Sequence, residues 1–258
     1  MPEPPTVYRL ALEFRAGLLA KDDALLRRMA SRYADLLARL RPRLTRMREL
    51  AESRYASDVP LSKGEATRVY QALRLEAQVR AEVERWSALA GTDVKAAQET
   101  AAILASDEAR ALTKAAFPKG LTEPMLARLG LGWTELPREA LQEVIGQTAP
   151  GTPVAKVLGR AGTDACRASR NALIAGLAAG EQPTVVGRAM KAALGQGLPK
   201  ALTVARTEHL RAYRLASQGA YDLNRGIVKR WRRIAAKDER TCLACLALDG
   251  REYDVADP

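Results

Sequence analysis

The chain has 258 residues, enough for one large domain or two smaller ones. Its hydrophobic residues, 47% of the total, are mostly Ala and Leu, with two Phe and three Trp, and this composition favours helices over sheets. The net charge of +11 indicates attraction to polyanions, chiefly nucleic acid or an anionic membrane. No apolar run is long enough to span a membrane, the Pro-rich start is not a signal peptide, and three scattered cysteines do not suggest a disulfide framework.

The first predicted element is a long amphipathic helix, which follows an extended lead-in over residues 1–8. Its apolar positions recur at steps of three and four from Asp22 onward, and Pro42 predicts a kink or a break. The opposite face is rich in arginine, which we interpret as a solvated surface, with contact to DNA or to an acidic partner as the alternative. The apolar stripe consists of Leu25, Met29, Tyr33, Leu36, Leu40, Leu44, Met47 and Ala51.

Two more helices are predicted in the N-terminal half. Ser62 and Glu65 have the spacing of a capping box that opens one helix, and Gly91 is expected to end it. Thr92 then begins a helix that runs to about Ala116. Because long helices joined by a short turn pack antiparallel, residues 1–116 are predicted to form a helical hairpin or bundle.

Residues 117–153 are rich in Gly and Pro and are predicted to be a hinge region, after which residues 154–258 form a C-terminal domain. The last part of this domain alternates in the manner of strands, which predicts a small β-hairpin or sheet. The predicted fold class is therefore mainly α, with α+β character at the C-terminus. The C-terminal helices are expected at about 163–179, 183–195 and 199–224. A strand is expected at 227–234, and a turn followed by a second strand at 248–253.

A set of short motifs follows in a fixed order near the C-terminus. Their sequences are Ala205-Arg-Thr-Glu208, then Gly226 and Trp231, then Asp238-Glu-Arg-Thr-Cys242-Leu-Ala-Cys245, and finally Leu248-Asp-Gly250. Each of these short motifs alone is common in protein sequences. Taken together over residues 170–258, the set resembles the C-terminal domain of the Mu F-like head morphogenesis proteins of tailed phages.

The resemblance implies a structural function without catalysis. A protein of this family is expected to be a minor head protein of a phage or prophage, made in the host cytoplasm and located in the virion, inside the capsid at the portal vertex. It would assist head assembly and the packaging or ejection of DNA. The expected partners are the portal protein, the interior of the capsid or scaffold, and double-stranded DNA, with no membrane anchor.

Several motif residues are predicted to hold the C-terminal domain together. Arg206 and Glu208 are expected near the start of a helix, where a Glu is favoured by the helix dipole, and to pair with Asp238 or Arg240 of the following turn. Trp231 is predicted to anchor the sheet in the core. Asp249 and Gly250 are structural turn residues of the same motif set.

Cys242 and Cys245 have the spacing of a metal-binding turn, but they supply only two of the four ligands of a structural zinc site. In the family, a further His- and Cys-containing segment often follows the last strand, and this sequence stops at Pro258 where that segment is expected. We therefore expect no cofactor, with zinc possible only if further ligands lie beyond residue 258. A disulfide or a pair of packed thiols is the preferred interpretation of Cys242 and Cys245.

A run of basic residues around the first strand is the candidate nucleic-acid-binding site. Alternation along a strand places Lys229 and Arg233 on the face of Trp231, and Arg230 and Arg232 on the other face, where they are better phosphate contacts. Binding of this kind is independent of sequence and sensitive to salt. The run consists of Arg225, Lys229, Arg230, Arg232 and Arg233.

Enzymatic motifs do not occur in the sequence. It contains no phosphate-binding or dinucleotide-binding glycine loop, and its one histidine, His209, excludes a metalloprotease helix with two histidines. The spacing around the cysteines also differs from that of zinc deaminases. The alternatives that remain open are a free-standing non-specific DNA-binding protein, an enzyme or toxin attached to a Mu F-like domain, and an architectural oligomer.

Overall fold

A computed structural model describes residues 6–54, 63, 75–142, 145–149, 151–179, 181, 183–235, 237 and 241–255. The fold is predominantly helical with one two-stranded sheet near the C-terminus, which confirms the predicted class. Among the helices of these ranges, none is long and apolar enough to cross a membrane. The helices are α1 Thr6–Arg54, α2 Leu75–Ala115, α3 Glu123–Arg128, α4 Arg138–Gln142, α5 Val154–Ala178, α6 Pro183–Gly195, α7 Gly197–Leu223 and α8 Leu243–Ala247; the strands are β1 Arg230–Arg232 and β2 Glu252–Asp254.

Helix α1 is longer than predicted at its start and continues through its proline. The extended lead-in was predicted to reach residue 8, but α1 already begins at Thr6. Of the predicted kink or break at Pro42, the break does not occur, because α1 continues through this residue. Pro42 removes one backbone hydrogen bond, whereas Leu36 and Leu40 in the preceding turns are fully buried and hold the helix by tertiary packing. The side chains of Leu44, Met47 and Ala51 lie outside the described part of the chain.

Helix α2 is continuous where the sequence predicted two helices. Gly91 lies inside α2 and does not end it, so the predicted hairpin at this position is wrong. A Cβ atom on Gly91 would lie 2.9 Å from Cβ of Ala155 on α5, so the glycine allows a close approach of two helices. The predicted capping box at Ser62 and Glu65 lies outside the described residues.

The C-terminal elements match the predictions more closely. Helix α6 has the predicted bounds, α7 begins two residues before Pro199, and α5 begins nine residues before Thr163. The Gly- and Pro-rich stretch contains the short helices α3 and α4. Strands β1 and β2 pair antiparallel, with Trp231 opposite Tyr253. Strand β1 is shorter than the predicted 227–234, and β2 follows the predicted turn and ends one residue after Tyr253.

The contacts divide the chain into two compact units, each assembled from separate stretches of sequence. Unit 1 contains residues 1–18, 99–144 and 212–258, and unit 2 contains residues 19–98 and 145–211. This division is spatial, and the sequential boundaries at residues 116 and 153 remain predictions.

The apolar stripe of α1 contributes to the core of unit 2. Residues Leu25 to Leu40 of this stripe are buried together with apolar residues of α2, α5 and α6, as an amphipathic helix requires. The ring of Tyr33 meets that of Trp86 edge-on at a centroid distance of 5.1 Å, and Nε1–H of Trp86 donates to the carbonyl oxygen of Met29 at 3.3 Å. The buried indole N–H of Trp86 therefore has a specific hydrogen-bond partner.

Unit 1 is held together by polar contacts as well as apolar ones. The buried side chain of Asn224, just after α7, accepts a hydrogen bond from the Thr134 amide at 2.7 Å and donates to the Thr134 carbonyl at 2.9 Å. The hydroxyl of Tyr213 donates to the buried carboxylate of Glu108. These contacts fix the irregular segment around Thr134 and one face of α7 within unit 1.

Candidate functional site

The basic strand β1 exposes two arginines on one face of the sheet. The side chains of Arg230 and Arg232 are 69% and 64% exposed, and Trp231 between them is half-buried, which agrees with the predicted alternation. Both guanidinium groups face Glu252 on β2, at 2.5 Å from Arg232 and 3.7 Å from Arg230. The hydrogen bond from Arg232 holds the pKa of Glu252 below its ordinary value. One carboxylate thus balances one of the two positive charges on this face.

The other residues of the basic run have different surroundings. Arg225 forms an exposed ion pair with Asp222 at 3.3 Å, and Lys229 is exposed. A guanidinium nitrogen of Arg233 donates to the sulfur of Cys245 at 3.5 Å, and the side chain is half-buried. An exposed ion pair such as Arg225–Asp222 contributes little stability and leaves the charge of the arginine accessible. The structure therefore brings Arg230 and Arg232 together on one exposed face and gives Arg225 and Arg233 separate partners.

Trp231 stacks on Tyr253, its partner across the two strands. The ring centroids are 4.7 Å apart and the planes are inclined by 18°, which is an offset-stacked contact that stabilises a short two-stranded ribbon. Trp231 also lines a cavity of about 1040 Å³ within unit 1. The cavity is walled mainly by apolar side chains, with Lys229 and Arg233 among its cationic residues. Apolar lining residues include Tyr8, Phe117, Leu121, Leu131 and Val228.

The two cysteines of the metal-like motif form a tight turn. Cys242 caps helix α8, where its sulfur accepts a hydrogen bond from the backbone N–H of Cys245 at 3.4 Å. This hydrogen bond lowers the pKa of the Cys242 thiol. Both cysteines are free thiols, so the disulfide alternative is not what the structure shows. Within the described residues, no group of three or more metal-binding side chains exists, and the pair supplies only half of the ligands of a structural zinc site.

The Leu248-Asp-Gly250 motif forms a turn between α8 and β2. Asp249 accepts a hydrogen bond from the amide of Ala235 at 2.8 Å and pairs with Lys237 at 2.7 Å, and this lysine lowers the pKa of the carboxyl. Gly250 has a φ of 78°, a conformation that glycine adopts without strain, and its N–H donates to the Arg233 carbonyl. These two residues therefore have a structural function in the turn.

Arg206 and Glu208 lie in the middle of α7 and not near its start, so the predicted dipole effect does not apply. Arg206 pairs with Asp22 of α1 at 2.7 Å and with Asp23 at 3.2 Å. Glu208 accepts a hydrogen bond from Arg211 at 2.6 Å. Their expected pairing with Asp238 and Arg240 lies outside the described residues.

Sequence reasoning missed the buried partners of this motif. Asp22 is fully buried and lies 3.3 Å from Nδ1 of His209, which is also buried. Gln98 of α2 accepts a hydrogen bond from the Gly146 amide at 2.8 Å and donates to the Glu208 carbonyl at 3.4 Å. A signal existed, because Asp22 precedes Leu25 by three positions and so lies in phase with the apolar stripe of α1. We call Asp22, Gln98, Arg206, Glu208 and His209 the polar hub of unit 2.

The comparison with protein-family models gives one match. Residues 168–258 match the model described as Phage Mu protein F like protein, which confirms the resemblance predicted for residues 170–258. The matched segment includes the C-terminal part of α5 and all of α6, α7, α8 and the two strands. No curated protein and no solved structure matches the chain.

Proposed function

We propose that the chain is a structural head morphogenesis protein of a tailed phage or prophage, which binds the portal protein inside the capsid and has no catalytic activity. The match of residues 168–258 to the Mu F-like family is the observation that carries this proposal. The protein assists head assembly and the packaging or ejection of DNA through its binding surfaces. These surfaces are an apolar cavity of unit 1 and the exposed arginines Arg230 and Arg232, which are also among the residues that line the cavity.

The cavity of unit 1 supports binding to a protein segment. Its volume of about 1040 Å³ is at the upper end of pocket sizes for small molecules, and its lining combines aromatic and aliphatic walls with arginine and lysine. A groove of this kind suits an amphipathic helix whose apolar residues fill the cavity and whose acidic residues meet the cations. We propose that a segment of the portal protein with this pattern is the occupant.

The first experiment is co-purification of the full chain with the portal protein of the same phage, with nuclease treatment and at high salt. A direct protein contact based on apolar burial survives both treatments. Replacement of Leu121 by Lys introduces a positive charge into the apolar wall of the cavity. We expect it to weaken retention of the portal protein about tenfold or more. Burying an unpaired charge costs at least ~1.4 kcal/mol, which corresponds to a factor of ten in affinity.

The matched control is Leu129→Lys, at a leucine that is 71% exposed and does not line the cavity. This variant should retain the portal protein as well as the unaltered chain does. Equal loss in both variants, or no retention of the unaltered chain, contradicts the proposal of a portal contact in the cavity.

The second candidate function is non-specific binding of double-stranded DNA outside a capsid. The net charge of +11 and the exposure of Arg230 and Arg232 favour it. It predicts duplex binding by the isolated chain that weakens steeply with salt, because released counterions dominate such affinities. If association with the portal protein disappears with nuclease or salt alone, DNA is the bridge and this second function is favoured.

A further inference from the structure

Unit 2 contains a cleft between helices α2 and α5 that none of the functions above uses. Its volume is about 240 Å³. Helix α2 contributes Glu84 and Ser87, and α5 contributes Thr163 and Arg167, at positions that repeat at helical spacing along each wall. We call this feature the arginine cleft because three arginines line it, namely Arg80, Arg167 and Arg170.

The charge of the arginine cleft favours an anion. Among the described residues that line it, three carry a guanidinium group and one, Glu84, carries a carboxylate. Within the part of the chain that the structure describes, the ion pair of Arg167 is a loose one with Asp164, at 3.9 Å and with both side chains mostly exposed. Such a pair contributes little, so the Arg167 guanidinium is accessible to a ligand. Guanidinium groups bind phosphate oxygens with two parallel hydrogen bonds, which a planar arginine fork is shaped to donate.

A buried hydroxyl in the same cleft points to a ligand with acceptor oxygens. The side chain of Ser87 is only 4% exposed, and its Oγ has no hydrogen-bond partner among the residues that the structure describes. Buried hydroxyls nearly always have a partner, and a serine inside a helix commonly donates to the carbonyl four residues earlier. An oxygen of a bound anion is therefore a suitable acceptor for the Ser87 hydroxyl.

The close packing of the two helices fixes the shape of the cleft. A Cβ atom on Gly162 of α5 would lie 2.2 Å from Cγ1 of Val83 on α2, so only glycine allows this approach. The volume of about 240 Å³ is below the range of about 300–1,000 Å³ that is typical of pockets for drug-sized molecules. A compact tetrahedral anion fits a cleft of this size better than a larger organic ligand.

We propose that the arginine cleft binds a phosphate group, with the Ser87 hydroxyl and the Arg167 and Arg170 guanidinium groups as donors. The phosphate group is either the free ion or a phosphodiester of the nucleic-acid backbone. Binding here does not depend on the portal contact proposed above, because the cleft and the cavity are formed by different residues.

The test is calorimetric titration of the full chain with inorganic phosphate, and separately with a short DNA duplex, at matched ionic strength. We expect Ser87→Ala and Arg167→Gln each to weaken phosphate binding by roughly tenfold, since one hydrogen bond to a charged group is worth about one decade in affinity. Arg167 is exposed, so its replacement does not endanger the fold. The matched control is Arg160→Gln, which removes the same charge from α5 at an exposed residue outside the cleft.

Each outcome of these titrations decides the proposal. Weaker phosphate binding in both cleft variants with unchanged duplex binding identifies the free ion as the ligand. Weaker duplex binding in both cleft variants, with Arg160→Gln less affected, identifies the backbone phosphodiester. If neither phosphate nor duplex binding depends on Ser87 and Arg167 more than on Arg160, the proposal is overturned.

Discussion

Nε of Arg206 donates a hydrogen bond of 2.7 Å to Oδ2 of Asp22, and this contact joins α7 to α1 within unit 2. Asp22 is fully buried, whereas Arg206 is 41% exposed and also contacts Asp23. Oδ1, the other oxygen of Asp22, lies 3.3 Å from Nδ1 of His209. The buried carboxylate of Asp22 thus has a polar partner at each of its two oxygens, as a buried charge requires.

Replacement of Arg206 by Gln is predicted to destabilise unit 2. The buried Asp22 carboxylate then loses its cation, and we expect the free energy of unfolding to fall by about 1–3 kcal/mol. This is less than the full value for a buried ion pair, because Arg206 is partly accessible to water. Urea denaturation followed by circular dichroism measures the free energy of unfolding. The control is Arg225→Gln, whose pair with Asp222 is exposed and should contribute less than about 1 kcal/mol. Equal losses in the two variants would show that the Arg206–Asp22 contact has no special importance.

Replacement of Gly91 by Ala is predicted to destabilise the protein although alanine favours helices. The added Cβ meets Ala155 at 2.9 Å from its Cβ and 3.2 Å from its Cα, so backbone must move, which costs about 1–3 kcal/mol. Gly187→Ala on α6 is the control, because nothing lies within 4 Å of its Cβ position. That change should stabilise by about 0.5–1 kcal/mol. The midpoint of thermal unfolding should therefore fall in Gly91→Ala and rise in Gly187→Ala. A higher midpoint in Gly91→Ala would refute the close packing of α2 and α5.

Acidification is predicted to weaken the fold through His209. Burial lowers the pKa of this histidine below its ordinary value of 6.5, and Asp22 opposes the shift without reversing it. The unfolded chain therefore binds a proton more readily than the folded one, so unfolding becomes easier as the pH falls through 6.5 toward the lower folded-state pKa. The lowered pKa values of Glu123, Asp249 and Glu252 affect stability only at more acidic pH.

The measurement for His209 is the free energy of unfolding between pH 7.5 and 5.5. The unaltered chain should lose stability across this range, and His209→Asn should have a flatter profile because it carries no titrating ring. A profile that rises toward pH 5.5 would mean that Asp22 dominates and that the folded protein holds the charged histidine.

Cys242 is predicted to be the most reactive thiol of the chain. It is exposed, and the N–H of Cys245 lowers its pKa, so more thiolate is present at neutral pH than for an ordinary cysteine. Brief treatment with iodoacetamide followed by peptide mass spectrometry should find Cys242 modified before the half-buried Cys166 and Cys245. Simultaneous modification of all three cysteines would contradict the proposed lowering of the Cys242 pKa by the turn.

Addition of saturating zinc before alkylation tests whether the pair of thiols, Cys242 and Cys245, binds a metal.

The sequence was sufficient for the predominantly helical class and for the bounds of α6, because Pro183 and Gly195 are unambiguous start and stop signals. It was not sufficient at Gly91, since the same residue that often ends a helix also permits close helix packing. Which of these two roles a glycine has depends on the residue that packs against it. For Gly91 this residue is Ala155, which is far away in the sequence. Long-range packing of this kind cannot be deduced from local pattern.

The candidate site was predicted in part. Strand alternation correctly placed Arg230 and Arg232 on the face opposite Trp231. The sequence did not reveal that Glu252 lies between the two arginines, because the register of β1 and β2 decides this. The polar hub could have been found in part, since Asp22 and Gln98 both continue the apolar periodicity of their helices, and a polar residue in such a position requires a buried partner.

The most direct test of portal binding is the protein content of purified procapsids assembled with and without the portal protein. We expect this chain to copurify with portal-containing particles in low copy number and to be absent from particles assembled without the portal. Presence in equal amounts in both kinds of particle, or absence from both while the chain binds DNA in solution, would contradict a portal-bound head protein.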